Sequence, residues 1–244
     1  MTLPVRLSVI LPVKNGERHL TQALETIERN CTEEDELIVI DDQSIDGTAR
    51  LLQSFKPAFR VTLLQGAGQG PAKARNDGLA IAQGRYITFL DHDDCWPDHR
   101  VFNHLAVLES EVSADVVMGQ VEYVTGLHRD HLPAFVNHYP VIFHVHLGAS
   151  TFRRSIFETV GWFDEQLGFS EDHDLFLRIR EAGLIIHPLH EISLRYRIHE
   201  TNMTRSKRLD EMQLLHVIQK SLSRRRVRYT VLSPFPKNGS SLGS

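Results

Sequence analysis

Apolar runs at residues 7–13, 37–40, 61–64 and 86–90 alternate with segments of helical period at 17–29, 48–54 and 72–82. In the first of these helices Leu20, Ala23, Leu24 and Ile27 recur at three- and four-residue steps and leave Gln22, Glu25 and Arg29 on the outer face. The apolar runs are nearly continuous, which predicts strands covered on both sides. Repetition of strand, helix and strand predicts parallel pairing through crossover helices. The expectation is an α/β fold with a mixed, mostly parallel central sheet flanked by helices.

From Ala114 the pattern changes. A long β-type stretch runs through Val124, a loop carries His128, His131, His138, His144 and His146, and short elements continue to about Ile198. Leu209, Met212, Leu215, Ile218 and Leu222 then fall at helical spacing within residues 206–228, and Arg224, Arg225, Arg226 and Arg228 follow. This predicts an amphipathic helix with a cationic end. Residues 237–244 are rich in Gly and Ser and predict a disordered tail.

A chain of 244 residues with 41% hydrophobic and 24% charged content can bury one full core. Its net charge of −4 removes the electrostatic case for a nucleic-acid partner, which needs a basic surface to displace counterions. No apolar run approaches the roughly 20 residues of a membrane helix. Residues 7–13, interrupted by Ser8 and Pro12 ahead of Lys14, read as a strand and not as a leader. A cytoplasmic protein is expected, its cationic helix end either solvated or in peripheral contact with the anionic inner face of a membrane. Cys31 and Cys95 lack paired or zinc-type spacing and are expected as reduced thiols.

The strongest chemical signal is the placement of acids. Asp41-Asp42 ends one apolar run and Asp91-His92-Asp93-Asp94 ends another. Parallel strands deliver such residues to the carboxyl edge of the sheet, where open α/β folds bind ligands. Carboxylates so crowded repel one another unless a hard cation or a polar ligand compensates. After Asp42, Asp46-Gly47 makes a turn and Thr48 opens a helix. Gly66-Ala67-Gly68-Gln69-Gly70-Pro71 differs from a dinucleotide fingerprint, because a proline holds the third-glycine position and the run follows the third strand, not the first. It reads as a flexible, close-approach loop that brings Arg75 and Asn76 near a ligand. Arg75 suits a phosphate or a base carbonyl, with a solvated helix face as the plain alternative. Ser170 reads as the N-cap of a helix whose first turn holds Glu171, Asp172 and Asp174.

Taken in order, Asp41-Asp42-Gln43-Ser44-Ile45-Asp46-Gly47-Thr48, Gly70-Pro71-Ala72-Lys73-Ala74-Arg75-Asn76, Phe89-Leu90-Asp91-His92-Asp93-Asp94 and Glu171-Asp172 resemble the family 2 inverting glycosyltransferases of GT-A fold. Gly161-Trp162-Phe163-Asp164-Glu165 and Tyr196-Arg197-Ile198-His199 ahead of Asn202 extend the likeness. It implies a GT-A domain over residues 1–204, with a nucleotide-binding half at 1–113 and an acceptor half at 114–204. The helix at 205–230 and the tail at 231–244 would follow.

The resemblance further implies that Asp42 meets the nucleobase and Asp91 the ribose, with Pro12, Val13, Asn15 and Arg75 also on the nucleotide. Asp93 would hold a divalent metal, Mn2+ or Mg2+, on the diphosphate, and His199 would add a metal or phosphate contact. Asp172 would be the general base, and Glu171 and Asp94 would touch acceptor or donor sugar. A helix amino end lowers the pKa of Asp172 and burial raises it, with burial expected to prevail in the closed complex. The donor would be a nucleoside diphosphate sugar, most simply a UDP-sugar. Relatives often place an aromatic residue for stacking on uracil where this chain has Lys14, so the base stays open. The acceptor is a glycan, a lipid-linked sugar or a small molecule.

Other readings share these residues. A non-catalytic sugar-nucleotide-binding module would keep the fold without the reaction. A sugar nucleotidyltransferase would need a Gly-rich, Arg-containing first loop, whereas this chain has Lys14-Asn15-Gly16-Glu17. The histidine-dotted loop reads either as a zinc site or as a wall of the acceptor pocket.

Overall fold

The computed structural model describes residues 4–110, 112–125, 141–142, 145–200, 202 and 213–228. In chain order the elements are β1 (Leu7–Val13), α1 (Leu20–Asn30), β2 (Glu36–Asp41), α2 (Thr48–Ser54), β3 (Arg60–Gln65), α3 (Pro71–Ile81) and β4 (Tyr86–Phe89). There follow α4 (Arg100–Glu109), β5 (Val116–Val124), a 3₁₀ turn at Leu147–Ala149, β6 (Ser150–Arg153), α5 (Ser155–Val160), α6 (Glu171–Glu181), β7 (Ile186–Arg197) and α7 (Leu214–Arg228). His128, His131, His138 and His144, residues 203–212 and the tail at 231–244 lie outside the described residues.

The strands form one sheet of seven in the order β3-β2-β1-β4-β6-β5-β7. β3, β2, β1 and β4 are parallel, β6 runs antiparallel to both β4 and β5, and β5 pairs parallel with β7. The strand order reverses at β1, whose carboxyl end lies beside those of β2 and β4. That crevice is where an α/β sheet receives a ligand.

The continuous burial of β1 and β2 follows from cover on both faces. Leu7, Val9, Leu11 and Val13 belong to one core with Leu20, Leu24 and Ile27 of α1 and Leu105 of α4. Ile10 of the opposite face joins Ile38, Ile40, Leu79, Phe89 and Phe176 in the other. Because strand side chains alternate, one strand serves both layers.

Three expectations need correction. The apolar pattern gave no helix at α4, because its buried face carries Arg100 and His104 among Val101, Leu105 and Leu108. Arg100 lies over the Trp96 ring at 4.5 Å and donates to the carbonyls of Gly148 and Ser150. His104 spans Thr151 Oγ1 (3.0 Å) and Ser193 Oγ (2.8 Å). Both ring nitrogens of His104 and Nη2 of Arg100 are partnered, while Arg100 Nε and Nη1 have no hydrogen-bond partner among the described residues and lie with the guanidinium over Trp96. Second, the short elements expected up to Ile198 include a 12-residue strand, β7. Third, the Leu215, Ile218 and Leu222 stripe of α7 is exposed, and the helix instead packs through Val217 and Ser221. Lys220 pairs with Asp164, and Arg224 with Asp174 and Glu181.

Both cysteines are free thiols, as expected. Among the described residues, no helix is long and apolar enough to cross a membrane.

Candidate active site

The loops after β1 and β2 are tied together before any ligand arrives. Asn15, at φ 53°, donates its backbone N–H to Ser44 Oγ (2.8 Å) and accepts from Ile45 N (2.9 Å). Asp46, just ahead of the N-cap Gly47, accepts from the backbone N–H and hydroxyl of Thr48 at the start of α2. Pro12 and Val13 are buried at the end of β1, where the Val13 carbonyl accepts from Asp42 N (2.7 Å).

Asp42 is itself buried, and its two oxygens accept from Gly68 N (2.7 Å) and Gly70 N (3.1 Å). The glycine run is therefore an ordered clasp, where the sequence suggested a flexible loop. Gly68 and Gly70 have φ of 73° and 91°, conformations that side chains disfavour. A Cβ on Gly66 would stand 2.7 Å from Asp42 Oδ1, so that position also needs glycine.

Arg75 joins two distant stretches of the sequence. Its guanidinium, 6% exposed, donates through Nη2 to Asp91 Oδ1 (2.7 Å) and through Nη1 to Glu171 Oε1. This places the end of β4 and the start of α6 at one sheet edge. Asn76 does not face that edge. Its side chain clamps Phe163 by donating to the Phe163 carbonyl and accepting from Phe163 N.

Asp93 Oδ2 lies 2.9 Å from His199 Nε2, and the imidazole with its hydrogen bond holds the Asp93 carboxyl below the usual range although burial pushes it upward. Asn202 fixes the turn that carries His199, accepting from His199 N (2.6 Å) and donating to the Arg197 carbonyl (3.0 Å). Asp94 is 1% exposed and accepts from Arg197 N (2.9 Å). Burial first, then Asp93 and Asp91, push its carboxyl well upward.

Asp91, Asp94 and His146 also bring ligand atoms within 4.8 Å of one another. However, His146 Nδ1 accepts from Gly148 N at 3.1 Å, so a neutral ring carries its proton on Nε2, which points toward Asp94. Using His146 as a ligand would give up that arrangement. Carboxylate oxygens with one imidazole, the set that Asp93 and His199 offer, suit Mn2+ or Mg2+. The Asp93–His199 pair and the group of Asp91, Asp94 and His146 thus both offer donors of the kind the implied cation takes. His146 was legible only as one of a crowd of histidines.

Asp172, in the first turn of α6, has 24% of its side chain exposed, and Oδ1 accepts from both His173 N (2.7 Å) and His173 Nδ1 (2.8 Å). Burial pushes the Asp172 carboxyl up, but the bond and charge of His173, with help from His146, bring it well below the usual range. Ser170 stands at the N-cap position with φ 62°, and its side chain does not cap the helix. The same groups act on His146, where burial lowers the pKa against the pull of Asp91, Asp172 and Asp93. The acids of β4 and α6 thus face one space.

The parallel half-sheet, the strand reversal at β1 and the acids around Arg75 define a GT-A fold of the nucleotide-sugar transferase class. Residues 8–161 match the model of glycosyl transferase family 2, and the chain belongs to that family. Among characterised relatives, the UDP-Glc:alpha-D-GlcNAc-diphosphoundecaprenol beta-1,3-glucosyltransferase WfaP of Escherichia coli is 25% identical over 82% of this chain and 80% of its own length. S. aureus TarS 1-349 in complex with UDP-GlcNAc superposes with TM-score 0.75 at 19% identity, covering 93% of this chain and 68% of that one. The mannosyltransferase PcManGT of Pyrobaculum calidifontis, in complex with GDP-Man and Mn2+, gives 0.65 at 17% identity over 93% and 76%. The chain spans 60% of the TarS 1-349 chain in another of its crystal structures.

Proposed function

We propose that this glycosyltransferase moves a sugar from a nucleoside diphosphate donor, a UDP-sugar, to an acceptor hydroxyl with inversion, and that Asp172 is the general base. The observation that carries the reading is the Arg75 bridge between Asp91 and Glu171, which sets Asp172 beside the β4 acids. The UDP-GlcNAc bound by TarS and the glucosyl transfer named for WfaP support the donor class.

In this reading Asp42, clasped by Gly68 and Gly70, meets the base, Asp91 meets the ribose, and Asn15 and the end of β1 shape the nucleotide pocket. Asp93 and His199 would hold a divalent cation, which when bound offsets charge on the departing diphosphate. Asp172 Oδ2, the oxygen left by His173, takes the proton of the acceptor hydroxyl. Direct displacement by that oxygen needs no enzyme nucleophile, which accounts for inversion. Glu171 is held by Arg75 at the sugar, while Asp94 braces the Arg197 backbone from beneath.

The test is titration calorimetry of the chain with UDP and GDP, with and without Mn2+, alongside donor turnover and NMR of the product anomer. Tight Mn2+-dependent UDP binding with nucleotide release and an inverted anomeric centre is expected. Absence of binding and release with every donor, or a retained anomer, overturns the reading.

A further inference from the structure

We propose that His173 is a positioning residue that presents Asp172 to the acceptor, its Nδ1–H fixing one carboxylate oxygen so that the other faces the reacting hydroxyl. The inference rests on Asp172 as base and adds a second residue to that role.

The geometry is specific. Nδ1 of His173 and its own backbone N–H converge on the same oxygen, Asp172 Oδ1, at 2.8 and 2.7 Å. Two donors on one oxygen fix the carboxylate plane, and neither of them takes Oδ2. A carboxylate at a helix start without this anchor would rotate about its terminal torsion, which is broad for Asp. The acceptor O–H bond then breaks toward Oδ2, the new C–O bond forms at the anomeric carbon, and the bond to the diphosphate breaks with its electron pair on the departing oxygen.

The protonation state of His173 matters to this arrangement. With a neutral ring carrying its proton on Nδ1, the donor is kept and Asp172 remains a usable base. A protonated ring keeps the same bond but adds a full charge, which makes Asp172 a weaker base. The hydrogen bond to Asp172 raises the His173 pKa above its ordinary 6.5, against burial, with the charges of Asp172 and Glu171 adding to the rise. The charged or titratable groups near it among the described residues are Asp172 and Glu171 on α6, Arg75 on α3 through Glu171, and His146 through Asp172. The sign follows: turnover is low below the raised His173 pKa and climbs as pH passes through it.

Three variants test this in the full chain with its donor and Mn2+. His173→Phe removes the donor, and kcat should fall about 10- to 100-fold, part of the 10² to 10⁴ a positioned base supplies, with donor KM unchanged. His173→Asn restores a non-titrating N–H; it should recover most of kcat and lose the acidic limb of the pH profile. Equal losses in both variants, a loss confined to donor KM, or a wild-type pH limb in His173→Asn would overturn the proposal. Asp172→Asn separates the two levels: if that variant keeps turnover, the choice of base fails; if it is inactive while His173→Phe is normal, only the positioning role fails.

Discussion

The two acidic groups that Arg75 joins are held by different means, and the difference sorts their chemistry. At the end of β4, three carboxylates crowd together, braced by the Arg197 backbone and faced by His199, and Asp94 is pushed toward its neutral form. At the start of α6, burial pushes the Asp172 carboxyl up but its imidazole partner brings it down, and both His173 donors meet Oδ1. Of the three carboxylates at β4, Asp91 is paired with the Arg75 guanidinium and Asp93 with the His199 imidazole, and a bound cation would offset the charge these partners leave. A carboxylate with one donor-held oxygen suits the base we propose.

That contrast can be broken from either side. Asp172→Asn should cut kcat by about 10²- to 10⁴-fold while calorimetry shows nucleotide binding intact. If binding falls as far as turnover, the two groups are not separable. Arg75→Met leaves Asp91 and Glu171 unpaired near one another and should lower unfolding free energy by roughly 3–5 kcal/mol in urea. A loss well under that would mean the bridge does not hold the halves together.

Smaller changes sharpen the picture. Asp93→Asn should weaken Mn2+ at least about tenfold, as loss of even an outer-shell partner does, without altering donor binding in the absence of metal. Calorimetry with Mn2+ alone reads this directly. Gly70→Ala meets no neighbour within 4 Å, so its cost is backbone strain of about 1–3 kcal/mol, seen as a lower Tm together with weaker UDP binding through Asp42. Leu215→Gln on the exposed face of α7 should change stability by less than about 0.5 kcal/mol.

The nucleotide half was legible because its strands are covered on both faces. β1 and α2 fall on the residues expected, and β2, β3 and β4 differ by a residue at their ends. Past β4 the pattern loses its grip: α4 hides behind Arg100 and His104, and β6 has only four residues. At the site, individual acids stood out at strand ends, but their partners did not. That Asp42 is clasped by Gly68 and Gly70, or that Arg75 spans Asp91 and Glu171, depends on closures of 16 to 96 residues along the chain. Spacing cannot report such pairs. His173 was read only as part of a helix start, because a neighbour in sequence need not be a neighbour in hydrogen bonding.

One feature of the right-hand edge acts as a length gauge. Between the Val116–Ile186 and Val121–Leu194 pairs, β7 slips forward by three residues against β5, taken up in bulges. Since a strand advances ~3.3 Å per residue and alternates sides, deleting one residue from 189–193 would retract His199 by a full step and turn it from Asp93, detuning the far end of the cleft with every acidic residue still in place.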